Sequence, residues 1–210
     1  MYKLFWSPGS AAFAPHVMLE EIGAPVEYVR IDLQAGEQRR PDYLKLNPHG
    51  RVPTLVVDGQ PVFEAAAICM LLAERHPEVG LAPDGGRARA LYLQWMAYLT
   101  NTLQERLVQW FHPDWHLDDK AAEPALKAGA ERRIGPMFDR IDAALGAEGP
   151  YLAGTAPSVA DIYLAMLVRW SRNHPDPGWS RPNVKRCCDL VVARPAFRRT
   201  LDAEGIAWPY

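Results

Sequence analysis

The chain has 210 residues, 49% of them apolar and 23% charged, with a net charge of −2 at pH 7. That length holds one large or two small domains with real cores, and the composition is that of a globular protein. The charge gives no reason to expect a nucleic acid or an anionic membrane as partner, and no apolar run approaches the ~18 residues needed to span a bilayer. Three cysteines, Cys69, Cys187 and Cys188, make no disulfide framework, which points to a reducing cytoplasm.

The opening residues are too short for a signal peptide and run straight into a strand over 2–6, ended by Ser7-Pro8-Gly9. Residues 11–22 are expected to form a helix, with Pro15 tolerable only in its first turn and Gly23 as its stop. A second strand covers 26–31 and a short polar helix or turn 37–46. Residues 54–57 form a β-rich apolar run, Asp58-Gly59 is a strong hairpin signal, and Pro61-Val62-Phe63 returns as an edge strand. Glu64 opens an Ala-rich helix over 65–74. This order gives a small mixed sheet covered by helices. Residues 76–86 are dense in Pro and Gly and mark a linker. Everything beyond reads as helix: 88–110, 121–145 with a kink expected at Gly135-Pro136, 158–172, 184–193 and 196–203.

The stretch 47–68 reads as a peptide-binding device. Asn47-Pro48 and His49-Gly50 are turn chemistry. A cis peptide at Val52-Pro53 would turn the Val52 backbone outward, leaving its N–H and C=O to pair with an extended peptide. The helix start after Glu64 offers unpaired N–H groups and partial positive charge to a carboxylate, and Glu64 can receive an ammonium. A small peptide with a free amine, a carboxylate and a central amide fits these parts.

The segment resembles the glutathione site of cytosolic glutathione S-transferases, in which Asn-Pro-x-Gly-x-Val-Pro-x-Leu is followed by a hairpin and Glu-Ser-x-Ala-Ile. The resemblance extends to the opening strand and helix and to Ser158-Val159-Ala160-Asp161. It implies an α/β plus all-α protein: a thioredoxin-like glutathione-binding domain over 1–77, a linker over 78–86, and an all-helical domain over 87–210 with the electrophile pocket. It further implies a cytoplasmic homodimer, with glutathione as co-substrate and no other cofactor or metal. Arg51, Val52, Pro53, Glu64 and Ala65 are the glutathione-binding candidates; Arg39-Arg40, otherwise a solvated pair, can reach the glycyl carboxylate. Ala65 replaces the family's Ser, whose hydroxyl bonds the γ-glutamyl carboxylate. One such lost bond to a charged group is worth roughly 1.5–3 kcal/mol, so weaker binding is expected.

Ser7-Pro8-Gly9-Ser10-Ala11-Ala12-Phe13-Ala14-Pro15-His16 is similar to the bacterial beta-class opening Ser-Pro-Gly-Ala-Cys-Ser-Leu-Ala-Pro-His. The beta-class cysteine falls on Ala11, and the Asn and His that class carries on its long helix fall on Ala97 and Gln104. Beta-class thiol chemistry is therefore absent, and Phe5-Trp6 does not suit a tyrosine-type mechanism. Ser10, with Ser7 as the alternative, is the candidate thiol activator. It follows the first strand, where α/β sites form, and a helix cap is its competing role. Trp95, Tyr98, Trp110 and Phe111 are the electrophile-pocket candidates, with Trp115 in the same aromatic set, and core packing is the competing reading.

Ser158 and Asp161 read as a capping box. His112 and His116 flank Pro113, which breaks a helical metal pair, so no metal site is assigned. Cys187 and Cys188 lie about 100° apart on a helix and read as packing. The implied reaction is conjugation of the glutathione thiolate to a small hydrophobic electrophile, a detoxification chemistry. The alternative is a non-catalytic binding or regulatory protein on the same scaffold, since fold does not establish activity.

Overall fold

The first strand, β1 (Tyr2–Trp6), sits inside a four-stranded sheet in the computed structural model, which describes residues 1–210. It pairs in parallel with β2 (Val26–Arg30) and antiparallel with β3 (Thr54–Val57), which turns into β4 (Gln60–Phe63), giving the order β2-β1-β3-β4. The hairpin turn has positive φ at both central residues, 53° at Asp58 and 78° at Gly59, the pairing of Asp and Gly that such turns favour. β4 is an edge, so Pro61, opposite Val56, deprives the sheet interior of no donor.

Helix α1 (Phe13–Ile22) carries Pro15 in its first turn, where no intrahelical N–H is lost, and stops at Gly23, whose φ is 67° and whose N–H reaches the Leu19 carbonyl. α1 packs against α3 (Ala65–Arg75) and α9 (Pro195–Glu204). Phe13 meets Phe197 edge-to-face at 5.0 Å, and the Arg194 and Arg199 guanidinium groups bond Glu21 and Glu20. Strand alternation sends Phe5 to the other face of the sheet, into a cluster with Ile31 and Tyr43; Tyr43 lies on the short helix α2 (Pro41–Leu44).

Two compact units result. One comprises residues 1–82 with 192–208 and 210; the other comprises 83–191 with 209. Residues 192–208, read from sequence as part of the helical domain, thus belong with the sheet. The reason is the apolar face of α9, which contributes Ala196 and Phe197 to that core.

The second unit is helical: α4 (Gly86–Tyr98), α5 (Glu105–Phe111), α6 (Glu123–Glu148), α7 (Val159–Trp170) and α8 (Pro182–Val192). The helix expected over 88–110 is not regular, because Leu99–Gln104 forms a π-helical turn between α4 and α5. Every residue of α7 from Val159 to Arg169 is buried. Its start carries the expected capping box: Asp161 accepts from the Ser158 N–H at 2.7 Å and the Ser158 hydroxyl at 2.9 Å. Asp161 also accepts from the Leu152 N–H at 2.7 Å and, more weakly, from the Cys187 thiol at 3.5 Å. No helix is long and apolar enough to cross a membrane.

Candidate active site

In the sheet unit, the loop before β3 is pinned from below. The buried Tyr43 hydroxyl donates to the Arg51 carbonyl at 2.6 Å and meets Thr54 Oγ1 at 2.9 Å. Asn47, also buried, donates from Nδ2 to the same Arg51 carbonyl at 2.8 Å and accepts the His49 N–H at 3.1 Å. The Val52-Pro53 peptide is cis, and Pro53 is buried. The Val52 side chain packs on the Phe5, Ile31 and Tyr43 cluster, while its backbone N–H and C=O make no hydrogen bond within the protein. A main-chain donor and acceptor are thereby presented together, the requirement for pairing with an extended peptide.

Glu64 precedes α3 with φ 72° and ψ 107°. A non-glycine residue held there costs of order 1–3 kcal/mol, and such strain concentrates at binding and catalytic sites. The exposed Glu64 carboxylate has no partner within the protein. The first turn of α3 bonds only from Ile68, whose N–H reaches the Glu64 carbonyl at 2.9 Å. The N–H groups of Ala65 and its successors thus remain as acceptor-seeking donors at the positive end of an 11-residue helix. A free carboxylate beside free N–H groups suits a ligand that carries both an ammonium and a carboxylate.

The two serines differ. Ser10 Oγ donates to the Ser7 carbonyl at 2.7 Å and accepts the Ala12 N–H at 3.2 Å, so its hydroxyl is committed to the loop as a local cap. Ser7, 8% exposed, has no hydrogen bond from its hydroxyl. A carboxylate from the far end of the chain holds this loop. Glu204 on α9 accepts the Gly9 N–H at 2.8 Å and pairs with His16 Nδ1 at 2.9 Å, both side chains buried. Sequence reading missed this pair, because nothing local connects position 16 to position 204; His16 entered only as the last residue of the opening that resembles the beta class.

In the helical unit, the Trp110 and Phe111 rings lie 4.8 Å apart, tilted by 60°, and line a cavity of ≈ 230 Å³ with Lys127 and Asn173, two residues the sequence did not single out. The Lys127 ammonium lies 5.6 Å from the Trp110 ring centre, and the Trp110 indole N–H donates to Glu131 at 3.0 Å. Trp95 and Tyr98 pack edge-to-face on each other at 5.3 Å and do not line that cavity. Burial pushes the Tyr98 phenol above its ordinary acid range, an effect Arg140 partly offsets. Trp115 stacks on His112 at 4.0 Å, and His116 faces Glu105 instead. Both cysteines of the 187–188 pair are buried, and burial raises their thiols well out of the reactive range.

A thioredoxin-like sheet domain with a peptide-pairing loop, joined to an all-helical domain, defines the class of protein. The glutathione S-transferase N-terminal domain model matches residues 1–74 and the C-terminal domain model residues 124–202. Glutathione S-transferase GST-4.5 of Xanthomonas campestris pv. campestris is 34% identical over 170 residues, which is 80% of this chain and 82% of that one. Glutathione S-transferase GstA of Escherichia coli O157:H7 is 28% identical over 97% of this chain and 99% of its own. The crystal structure of a Sulfitobacter glutathione transferase homolog with bound glutathione superposes with a TM-score of 0.90 at 26% identity, covering 99% of each chain. The chain belongs to the glutathione S-transferase family, an enzyme family of transferases.

Proposed function

We propose that this protein is a glutathione transferase that joins the glutathione thiolate to small hydrophobic electrophiles. The observation that carries this reading is the pairing of an unengaged Val52 main chain with a strained, unpartnered Glu64 at the start of α3. In the reaction the thiol proton goes to solvent and the thiolate sulfur attacks an electrophilic carbon. A C–S bond forms, and the leaving group departs with its bonding pair. Binding brings the partners together and a donor on the sulfur favours thiolate over thiol.

The glutathione site is assigned to Arg51, Val52, Pro53, Glu64 and Ala65, and the thiol donor to the 7–10 loop. Ser10 sits where the loop meets α1, but its hydroxyl is bonded to Ser7. The unengaged hydroxyl of Ser7 favours Ser7 as the donor. Trp110 and Phe111, which share a cavity, are the supported part of the electrophile pocket; Trp95 and Tyr98 pack on each other outside that cavity. We read the protein as a cytoplasmic homodimer, a reading supported by the buried free cysteines and by β4 at the sheet edge.

Titration calorimetry with glutathione tests the site. Ala65→Ser restores a hydroxyl at the first residue of α3 and is expected to tighten binding by up to about tenfold, or roughly 1.4 kcal/mol. Glu64→Ala is expected to weaken it. Wild-type affinity in Glu64→Ala would overturn the assignment.

A further inference from the structure

The ≈ 230 Å³ cavity of the helical unit has a fixed aromatic wall and a cation that no group of the protein neutralises. Trp110, 6% exposed near the end of α5, is held on two sides. Its indole N–H donates to Glu131 at 3.0 Å, and the buried His174 ring meets it edge-on at 5.2 Å. His174 is itself fixed: its Nε2 donates to the Glu131 carbonyl at 3.2 Å, and its Nδ1 accepts the Asp176 N–H at 3.0 Å. Phe111 completes the wall. Lys127 on α6 and Asn173, in the turn that follows α7, supply the polar lining. Residues one turn apart on a helix are the usual ion-pair partners. Neither Glu123 nor Glu131, each one turn from Lys127 on α6, pairs with it. The Glu131 carboxylate is engaged by the Trp110 indole instead and does not line the cavity. The Lys127 ammonium is left with only the Trp110 ring beside it, and the Asn173 side-chain amide makes no hydrogen bond within the protein.

Resting on the assignment of Trp110 and Phe111 to the electrophile pocket, we propose that this cavity is a subsite for the carboxylate of a small aryl acid. The Lys127 ammonium pairs with one carboxylate oxygen and Asn173 Nδ2 donates to the other. The aryl ring packs on Phe111 and Trp110. An apolar cavity of about 150 Å³ holds one benzene ring, so ≈ 230 Å³ suits a single ring with a short substituent. The electrophile class this selects is an aryl carboxylate with its leaving group on a side carbon, such as 4-(chloromethyl)benzoate. There the thiolate sulfur bonds the CH₂ carbon, and chloride leaves with the carbon–chlorine pair. Lys127 touches no reacting atom in that step; its part is to choose the substrate.

Fluorine NMR titration with 4-fluorobenzoate and with the neutral 4-fluorobenzamide reads the subsite directly, in the absence of glutathione. The wild type is expected to bind the anion about fivefold or more tightly than the amide. That preference should shrink to under about twofold in Lys127→Gln and persist in Lys127→Arg. Lys127 is exposed, so neither change disturbs the core. Equal affinity for the two probes in the wild type, or a preference that survives Lys127→Gln, would overturn the subsite. Kinetics at saturating glutathione with 4-(chloromethyl)benzoate and benzyl chloride, each kcat/KM divided by its uncatalysed rate, show whether the carboxylate arrives on the electrophile. A preference for the benzoate that Lys127→Gln removes is the result expected. A binding preference without a kinetic one assigns the subsite to a free aryl acid and overturns its part in electrophile choice. Turnover of neither electrophile removes the transferase reading and leaves the binding result standing.

Discussion

A single hydroxyl is enough to activate the bound thiol. A thiol with an acid constant near 8.5 is mostly protonated at neutral pH. Lowering that constant by one to two units needs roughly 1.4–2.7 kcal/mol of preference for thiolate, and one hydrogen bond to a charged group supplies roughly 1.5–3 kcal/mol. Ser10 must first release the Ser7 carbonyl before it can donate elsewhere, while Ser7 has nothing to release. Ser7→Ala is therefore expected to raise the apparent acid constant of bound glutathione by one unit or more, read as thiolate absorbance against pH. Because the thiolate is the reactive form, conjugation near pH 7 should slow and recover as pH rises. Ser10→Ala should move the titration less. The reverse order returns the role to Ser10, and no shift in either variant assigns it to backbone N–H groups of the loop.

At the scale of elements, the start of α7 is held by one buried carboxylate. Removing Asp161 strands the Leu152 N–H, the Ser158 N–H and the Ser158 hydroxyl, each a buried donor worth about 1–3 kcal/mol when unsatisfied. Asp161→Ala is expected to cost at least about 3 kcal/mol and to lower Tm by about 6–12 °C in a chain of this size. A change of under about 1 kcal/mol would contradict the role given to this cap. Burial raises the acid constant of Asp161 above its ordinary range, and the four donors only partly offset that. Its folded form thus holds a proton more tightly than the unfolded chain. The proton-linked part of its stability is complete below the ordinary carboxylate range and is lost as pH rises through the raised value, while the hydrogen bonds of the cap remain.

The cap, the hairpin and the edge proline are legible in sequence because each depends on residues within three or four positions. The π turn is not, since a hydrophobic period of 3.6 tolerates one added residue without a visible break. The same limit explains α9. Its amphipathic pattern announces a helix, but nothing in it says which core the apolar face will join. The expected cis peptide at Val52-Pro53 is present, because the chemistry of an X-Pro bond beside a turn is local, whereas the positive φ of Glu64 has no counterpart in the residue type. The engagement of Ser10 and the freedom of Ser7 depend on how one loop closes, and no pattern of residue types encodes that.

For the whole molecule, family membership carries the fold and the transferase class, and the unmatched positions decide the rest. Ala65 and Ala11 remove two groups that the resemblance leads one to expect, yet the main-chain pairing edge, the strained Glu64 and the open helix start remain. Glutathione binding is therefore expected to be weakened while the chemistry persists. Turnover of 1-chloro-2,4-dinitrobenzene with saturating glutathione, followed as formation of the thioether, tests this most directly. Turnover above the uncatalysed rate, abolished or sharply reduced in Glu64→Ala at limiting glutathione, is the result predicted. A folded protein that binds glutathione but accelerates conjugation of neither this electrophile nor benzyl chloride would contradict it, and would leave a binding protein on a transferase scaffold.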